Sequence, residues 1–171
     1  GWVRVFVPGA SAVAVLDQDG DRTPLEEQAQ GLYVGRVTYA QAGDGASYRL
    51  AIRWPAAEQV TADPYAFGAL LDDATLQRLA QGAWREAGEA LGAHLVEVDG
   101  VSGLRCAVWA PNARRVAVAG DFNGWDPRRH GMRLRHAAGV WEIFIPGVRP
   151  GDRYKFAITD RNGNQFLKAD P

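Results

Sequence analysis

Along most of this chain, hydrophobic and polar residues alternate in short runs separated by Gly, Pro and Asp. Val3, Val5 and Val7 alternate with Arg4 and Phe6, and Leu104, Cys106 and Val108 alternate with Arg105, Ala107 and Trp109. A period of two is that of a half-buried strand, whose successive side chains point to opposite faces. Each run meets a proline, Pro8 or Pro111, then a short turn, then Val13-Ala14-Val15 or Val116-Ala117-Val118. Pro fixes φ, and Asn112 beside Pro111 tolerates unusual backbone angles, which is turn chemistry. The alternation predicts inward faces of Val3, Val5 and Val7 with Tyr48, Leu50 and Ile52. It predicts a second set of Leu104, Cys106 and Val108, with Trp141, Ile143 and Ile145, and Tyr154, Phe156 and Ile158. A slip of one residue inverts any of these faces.

The two sets belong to an internal repeat. Gly31-Leu32-Tyr33 answers Gly139-Val140-Trp141, Tyr48-Arg49-Leu50-Ala51-Ile52 answers Tyr154-Lys155-Phe156-Ala157-Ile158, and Ala62-Asp63-Pro64 answers Ala169-Asp170-Pro171. The offset holds between 103 and 108 residues from one end of the copy to the other. Each copy is a unit of short strands and tight turns, which is the pattern of a β-sandwich. Between them, Asp72 or Asp73 is placed to cap a helix, and Leu76, Leu79, Ala80, Ala83, Ala87 and Leu91 recur at helical spacing. Two short helical pieces broken near Gly82 are expected, with Tyr65, Phe67 and Trp84 gluing this linker to a sandwich. The predicted architecture is all-β: two tandem immunoglobulin-like β-sandwiches, 1–67 and 96–171, joined by a short helical linker over 68–95.

Composition narrows the function. With 47% hydrophobic and 23% charged residues and a formal net charge of −1, the chain has an ordinary globular make-up. No apolar run approaches the length that spans a bilayer, so no membrane partner is expected. The single cysteine, Cys106, lies in a strand pattern and reads as a core thiol, which fits a reducing cytoplasm. Residues 1–103 hold 7 Arg against 14 acids, and residues 104–171 hold 12 Arg plus Lys against 6 acids. Arg114, Arg115, Arg128, Arg129, Arg133 and Arg135 cluster in the second half. They read as a solvated or partner-facing surface, since no nucleic-acid motif accompanies them. His94, His130 and His136 lack metal-ligand spacing, no phosphate-cradling Gly loop opens a helix, and no metal or cofactor is expected.

Against that background three segments carry a resemblance: Leu91-Gly92-Ala93-His94, Trp109-Ala110-Pro111-Asn112-Ala113 and Gly120-Asp121-Phe122-Asn123-Gly124-Trp125-Asp126. Together with the closing Lys168-Ala169-Asp170-Pro171, they resemble the N-terminal part of bacterial glycogen (1,4-α-glucan) branching enzymes. Residues 96–171 resemble a carbohydrate-binding module of family 48, and residues 1–67 the additional sandwich that precedes it in long-form members. The resemblance implies a piece of a longer protein, whose (β/α)8 barrel transfers α-1,4-glucan segments to form α-1,6 branches. No alternation of strands and helices here builds such a barrel. Asp121, Asp126, Glu142 and Asp152 read as turn formers or single strand residues, not as the carboxylate pair of a retaining transfer. The fragment itself is therefore expected to have no catalytic residues.

Three roles stay open. The region binds and positions α-glucan, it docks the barrel and shapes chain-length specificity, or it is the equivalent module of a debranching or trehalose-forming relative. By similarity to glycogen-binding sandwiches, the carbohydrate-binding positions are Trp125, Lys155 and Phe166. Lys155 alternates with inward-looking neighbours, and Phe166 is a smaller ring than the Trp of glycogen-sensing relatives. The implied partners are α-glucan (glycogen and maltooligosaccharides) and the protein's own catalytic barrel. The first copy has no counterpart of the Phe-Asn-Gly-Trp loop and is expected not to bind.

Overall fold

The computed structural model describes residues 1–38, 48–82, 85 and 87–170. The chain divides into two compact units, residues 1–68 with 97–102, and residues 69–96 with 103–171.

The first unit holds β1 (Trp2–Phe6), β2 (Ala12–Leu16), β3 (Arg22–Pro24), β4 (Glu26–Ala29), β5 (Leu32–Arg36), β6 (Arg49–Arg53) and β7 (Glu58–Ala62). They form two antiparallel sheets, ordered β1-β5-β4 and β3-β2-β6-β7. Val3, Val5, Val7, Tyr48, Leu50 and Ile52, the inward faces that the alternation predicts, meet Val13, Val15 and Tyr33 in one buried core. The opposite side of β1 leaves Trp2 and Phe6 exposed. Phe67, expected to hold the linker, is fully buried, whereas Tyr65 is partly exposed.

In the second unit α1 spans Asp73–Gln81, with Asp72 as its N-cap accepting the Thr75 amide at 2.6 Å. Its side-chain oxygen satisfies one of the amides that the first helical turn leaves unpaired. Gly82 ends the helix in the left-handed region, where only a residue without Cβ sits at little cost. A 3-10 turn follows at Ala87–Glu89. Ala83, Trp84 and Pro171, all used in the sequence reading, lie outside the described residues. Residues 92–95, expected at the end of the helical linker, are already strand: β8 runs Gly92–Val98.

The remaining strands are β9 (Val101–Trp109), β10 (Arg115–Gly120), β11 (Arg133–Arg135), β12 (Val140–Pro146), β13 (Tyr154–Thr159) and β14 (Gln165–Lys168). Their sheets are ordered β11-β12-β9-β8 and β10-β13-β14. Leu104, Cys106, Val116, Val118, Trp141, Ile143, Ile145 and Phe156 fill the space between them. A second cluster lies on the outer side of β9 and β12, where Ala107 and Val140 pack with Leu71 and Leu76. There Glu142, only 1% exposed, accepts the Leu70 and Leu71 amides at 3.1 Å each and pairs with Arg135 at 3.0 Å. Burying a carboxylate is costly unless its oxygens are paired, and all these partners are supplied locally.

The repeat is thus a repeat of topology. β1, β2, β5, β6 and β7 have the pairings of β9, β10, β12, β13 and β14. Even the short β3 beside β2 is echoed by Gly131, which bridges to Ala117 of β10. The turn contacts recur too. Gly31 and Gly139 have φ of 80° and 66°, and their carbonyls accept the amides of Val7 and Ala110. A Cβ on Gly31 would lie 2.8 Å from Pro8 Cα, and one on Gly139 would lie 2.7 Å from Pro111 Cβ. Both glycines are demanded by conformation and by space.

Candidate functional site

The Gly120–Asp126 loop is built around a buried amide. Asn123, 2% exposed, accepts the Gly120 amide at 2.9 Å through Oδ1. Its Nδ2 donates to Val118 O and to His130 Nδ1, both at 2.8 Å. His130 is thereby an acceptor at Nδ1, and burial with the neighbouring Arg129 charge lowers its pKa to about 4. A neutral imidazole and a buried amide fix the inner side of the loop.

The outer side presents Trp125. Gly124 and Trp125 both adopt left-handed φ, 63° and 60°. For a residue with a bulky side chain that conformation is uncommon and has to be held by its surroundings. Two bonds hold it: Trp125 N donates to Gly120 O at 2.9 Å, and the indole Nε1 donates to Asp121 Oδ1 at 2.9 Å. Trp125 keeps 38% of its surface exposed. Asp121 is also bound by Arg153, through the backbone amide and Nε on Oδ2 (3.0 and 3.1 Å) and through Nη2 on Oδ1 (3.2 Å). Hydrogen bonds from Arg153 and Trp125 lower the Asp121 pKa to about 2.

Lys155 is exposed and lies across from Ala119, one residue from the Gly120–Tyr154 pair that starts this loop. Trp125 and Lys155 therefore share one end of the β10-β13-β14 sheet. Phe166 does not join them. It pairs with Ile158, and Lys168 pairs with Phe156, so these side chains stand on the core-facing side of the sheet. Lys155 belongs to the other side, with Ala157 and the exposed Leu167. Phe166 instead flanks a groove of about 480 Å³ at the margin of the sandwich, with Trp109, Pro111, Asn112, Ile158 and Lys168 among its walls. The Lys168 ammonium lies 5.6 Å from the Phe166 ring centre.

Three features of this surface go beyond the residues singled out in the sequence. Asp121 is no simple turn former; its partner Trp125 lies four residues on, and their bond closes the loop on itself. Arg153 has the same parity along the chain as Lys155, which was a usable signal. Trp109, 59% exposed, is the outward residue of a strand end. Among the described residues no group of His, Cys, Asp and Glu is placed to hold a metal ion. Cys106 is fully buried and its thiol pKa is raised by burial. No helix among the described residues is long and apolar enough to cross a membrane.

Two sandwiches of one topology, the second with an aromatic side chain braced on a polar loop, define a tandem β-sandwich region. Residues 1–65 match the family described as the alpha-1,4-glucan branching enzyme GlgB N-terminal domain. Residues 90–171 match carbohydrate-binding module 48, the isoamylase N-terminal domain. The 1,4-alpha-glucan branching enzyme GlgB of Bordetella parapertussis is 56% identical over 169 residues, covering 99% of this chain and 23% of that protein. A 1,4-alpha-glucan branching enzyme GlgB of Xanthomonas oryzae pv. oryzae is 52% identical over 171 residues, with the same shares. Ligand-free PulA of Klebsiella pneumoniae superposes over 96% of this chain and 18% of its own, with a TM-score of 0.41 and 18% identity. The chain belongs to the N-terminal region of the GlgB branching-enzyme family, and it spans about a quarter of the length of the curated relatives it matches.

Proposed function

We propose that this region binds and positions α-1,4-glucan for a catalytic domain elsewhere in the same protein, which transfers glucan segments to make α-1,6 branches. The relatives' names and the matched module support the substrate class. The observation that carries the reading is Trp125: a half-exposed indole, pinned through its Nε1 to Asp121 on a rigid loop. Glucan modules set the apolar face of glucose on such a ring while a few polar groups take the hydroxyls. Lys155 supplies one donor at this end of the sheet. Phe166, in its own groove, supplies a ring for a different stretch of chain. Residues 1–67 form the preceding sandwich and 96–171 the glucan module, and the buried lone thiol suits a reducing cytoplasm.

The test is titration of maltoheptaose against the wild type and Trp125→Ala. A saturable change with a dissociation constant of about 1 mM, equivalent to roughly 4 kcal/mol, is expected for the wild type and is lost in the variant. A wild type without saturation, or a folded Trp125→Ala with an unchanged isotherm, leaves docking of the catalytic barrel as the role.

A further inference from the structure

We infer that Asp121 is a positioning residue that joins Trp125 and Arg153 into one preformed glucan subsite, in which Arg153 is a contact residue. This rests on the glucan-binding reading above. Four N–H groups converge on the Asp121 carboxylate: the Trp125 indole and Arg153 Nη2 on Oδ1, the Arg153 amide and Nε on Oδ2. A carboxylate offers about four lone-pair sites, so Asp121 is fully engaged in orienting its neighbours. Trp125 Nε1 and Arg153 Nη2 bond the same oxygen, Oδ1, so the guanidinium lies next to the indole nitrogen.

Stability does not account for this arrangement. The Arg153 side chain is 79% exposed, and an exposed ion pair contributes little to folding. Its effect is on freedom of motion. A guanidinium has five N–H groups, and Asp121 takes two of them. The remaining three are unpaired among the described residues, and they are donors for the hydroxyls of a glucose whose face lies on Trp125. Because Arg stays charged at any working pH, and Asp121 is held ionised far below neutrality, the unit persists across the physiological range. Holding ring and donor in place beforehand removes ordering cost from a weak association.

The experiment follows the Trp125 indole N–H signal of the 15N-labelled chain, assigned with Trp125→Phe, during maltoheptaose titrations of wild type, Arg153→Ala and Asp121→Ala. Equal unfolding midpoints establish that each variant is folded, and Asp121→Asn replaces Asp121→Ala if the latter is not. In Asp121→Ala the indole signal is expected to move and broaden before any sugar is added. Both variants are expected to bind about three- to tenfold more weakly than wild type, the scale of one charge-assisted hydrogen bond at an exposed site. If Trp125→Ala loses binding while Arg153→Ala and Asp121→Ala match the wild type, the inference is overturned and the glucan-binding reading stands. If the wild type itself fails to saturate, that reading falls and the subsite falls with it.

Discussion

Tyr48 Oη donates a 2.7 Å hydrogen bond to Asp63 Oδ2, and both side chains are buried. The bond ties the residue just before β6 to the chain just beyond β7, where Asp63 also accepts the Tyr65 amide at 2.9 Å. In the second sandwich Tyr154 Oη donates to Asp170 Oδ2 at 2.6 Å, and that oxygen also accepts the Ala93 amide at 3.0 Å. Burial and the adjacent carboxylate raise the pKa of both phenols, so each stays protonated and serves as the donor. A tyrosine–aspartate latch therefore recurs at the same point of both copies.

Tyr48→Phe removes the phenol but leaves a buried carboxylate short of a partner, which costs about 1–3 kcal/mol. Tyr154→Phe is expected to cost less, because Asp170 is only half-buried and keeps the Ala93 amide. Urea unfolding of the two variants, monitored by near-ultraviolet circular dichroism, gives the ranking. Equal losses would show that burial does not set the cost.

His130 makes stability depend on pH. Its folded pKa of about 4 lies below the unfolded value near 6.5. As pH falls through that window the unfolded chain takes up a proton that the folded chain refuses, so stability drops. The slope reaches about 1.4 kcal/mol per pH unit and the total is at most about 3 kcal/mol. His130→Gln, which keeps an acceptor for Asn123, is expected to remove this decline, so that the wild-type minus variant difference in stability falls between pH 6.5 and 4. An unchanged difference would place the proton uptake elsewhere.

Arg135→Ala leaves Glu142 buried with two backbone amides and no cation, at a cost of about 3–5 kcal/mol. The Leu70 and Leu71 amides bond directly to this carboxylate. Hydrogen exchange at these two positions is expected to speed up more than at Ile143 in the sandwich core.

Gly31→Ala and Gly139→Ala each force a Cβ against a proline in a left-handed conformation. Gly163 has a similar φ of 88° but nothing within 4 Å of its would-be Cβ. Gly163→Ala is expected to cost about 1 kcal/mol, and the other two distinctly more. Thermal midpoints of the three variants separate conformation from crowding.

Much of this was legible in the sequence because a strand with one buried face writes its period into the chain. The faces of Val3, Leu50, Cys106, Ile143 and Phe156 followed from alternation alone, and the latch residues lay at matched places in the repeat. The strand character of residues 92–95 was masked by their position after a helical linker. The placement of Phe166 relative to Lys155 was not legible for a sharper reason. The pairing of β14 depends on how the Asp160–Asn164 turn closes, and a single residue there sends Leu167, not Phe166, to the lysine's side. Asp121 was hidden because an aspartate beside glycine is ordinary turn chemistry; its bond to Trp125 exists only after the loop has closed.

The opposed faces of β14 have a geometric consequence for any polymer that meets this sandwich. A flat ribbon resting on Trp125 and Lys155 leaves the Phe166 groove untouched, since the sheet's margin stands between them. Both can be reached together only by a strand that bends around that margin. On the glucan-binding reading proposed above, the surface would therefore select by curvature as well as by chemistry, since a coiled polysaccharide has the bend that a straight one lacks.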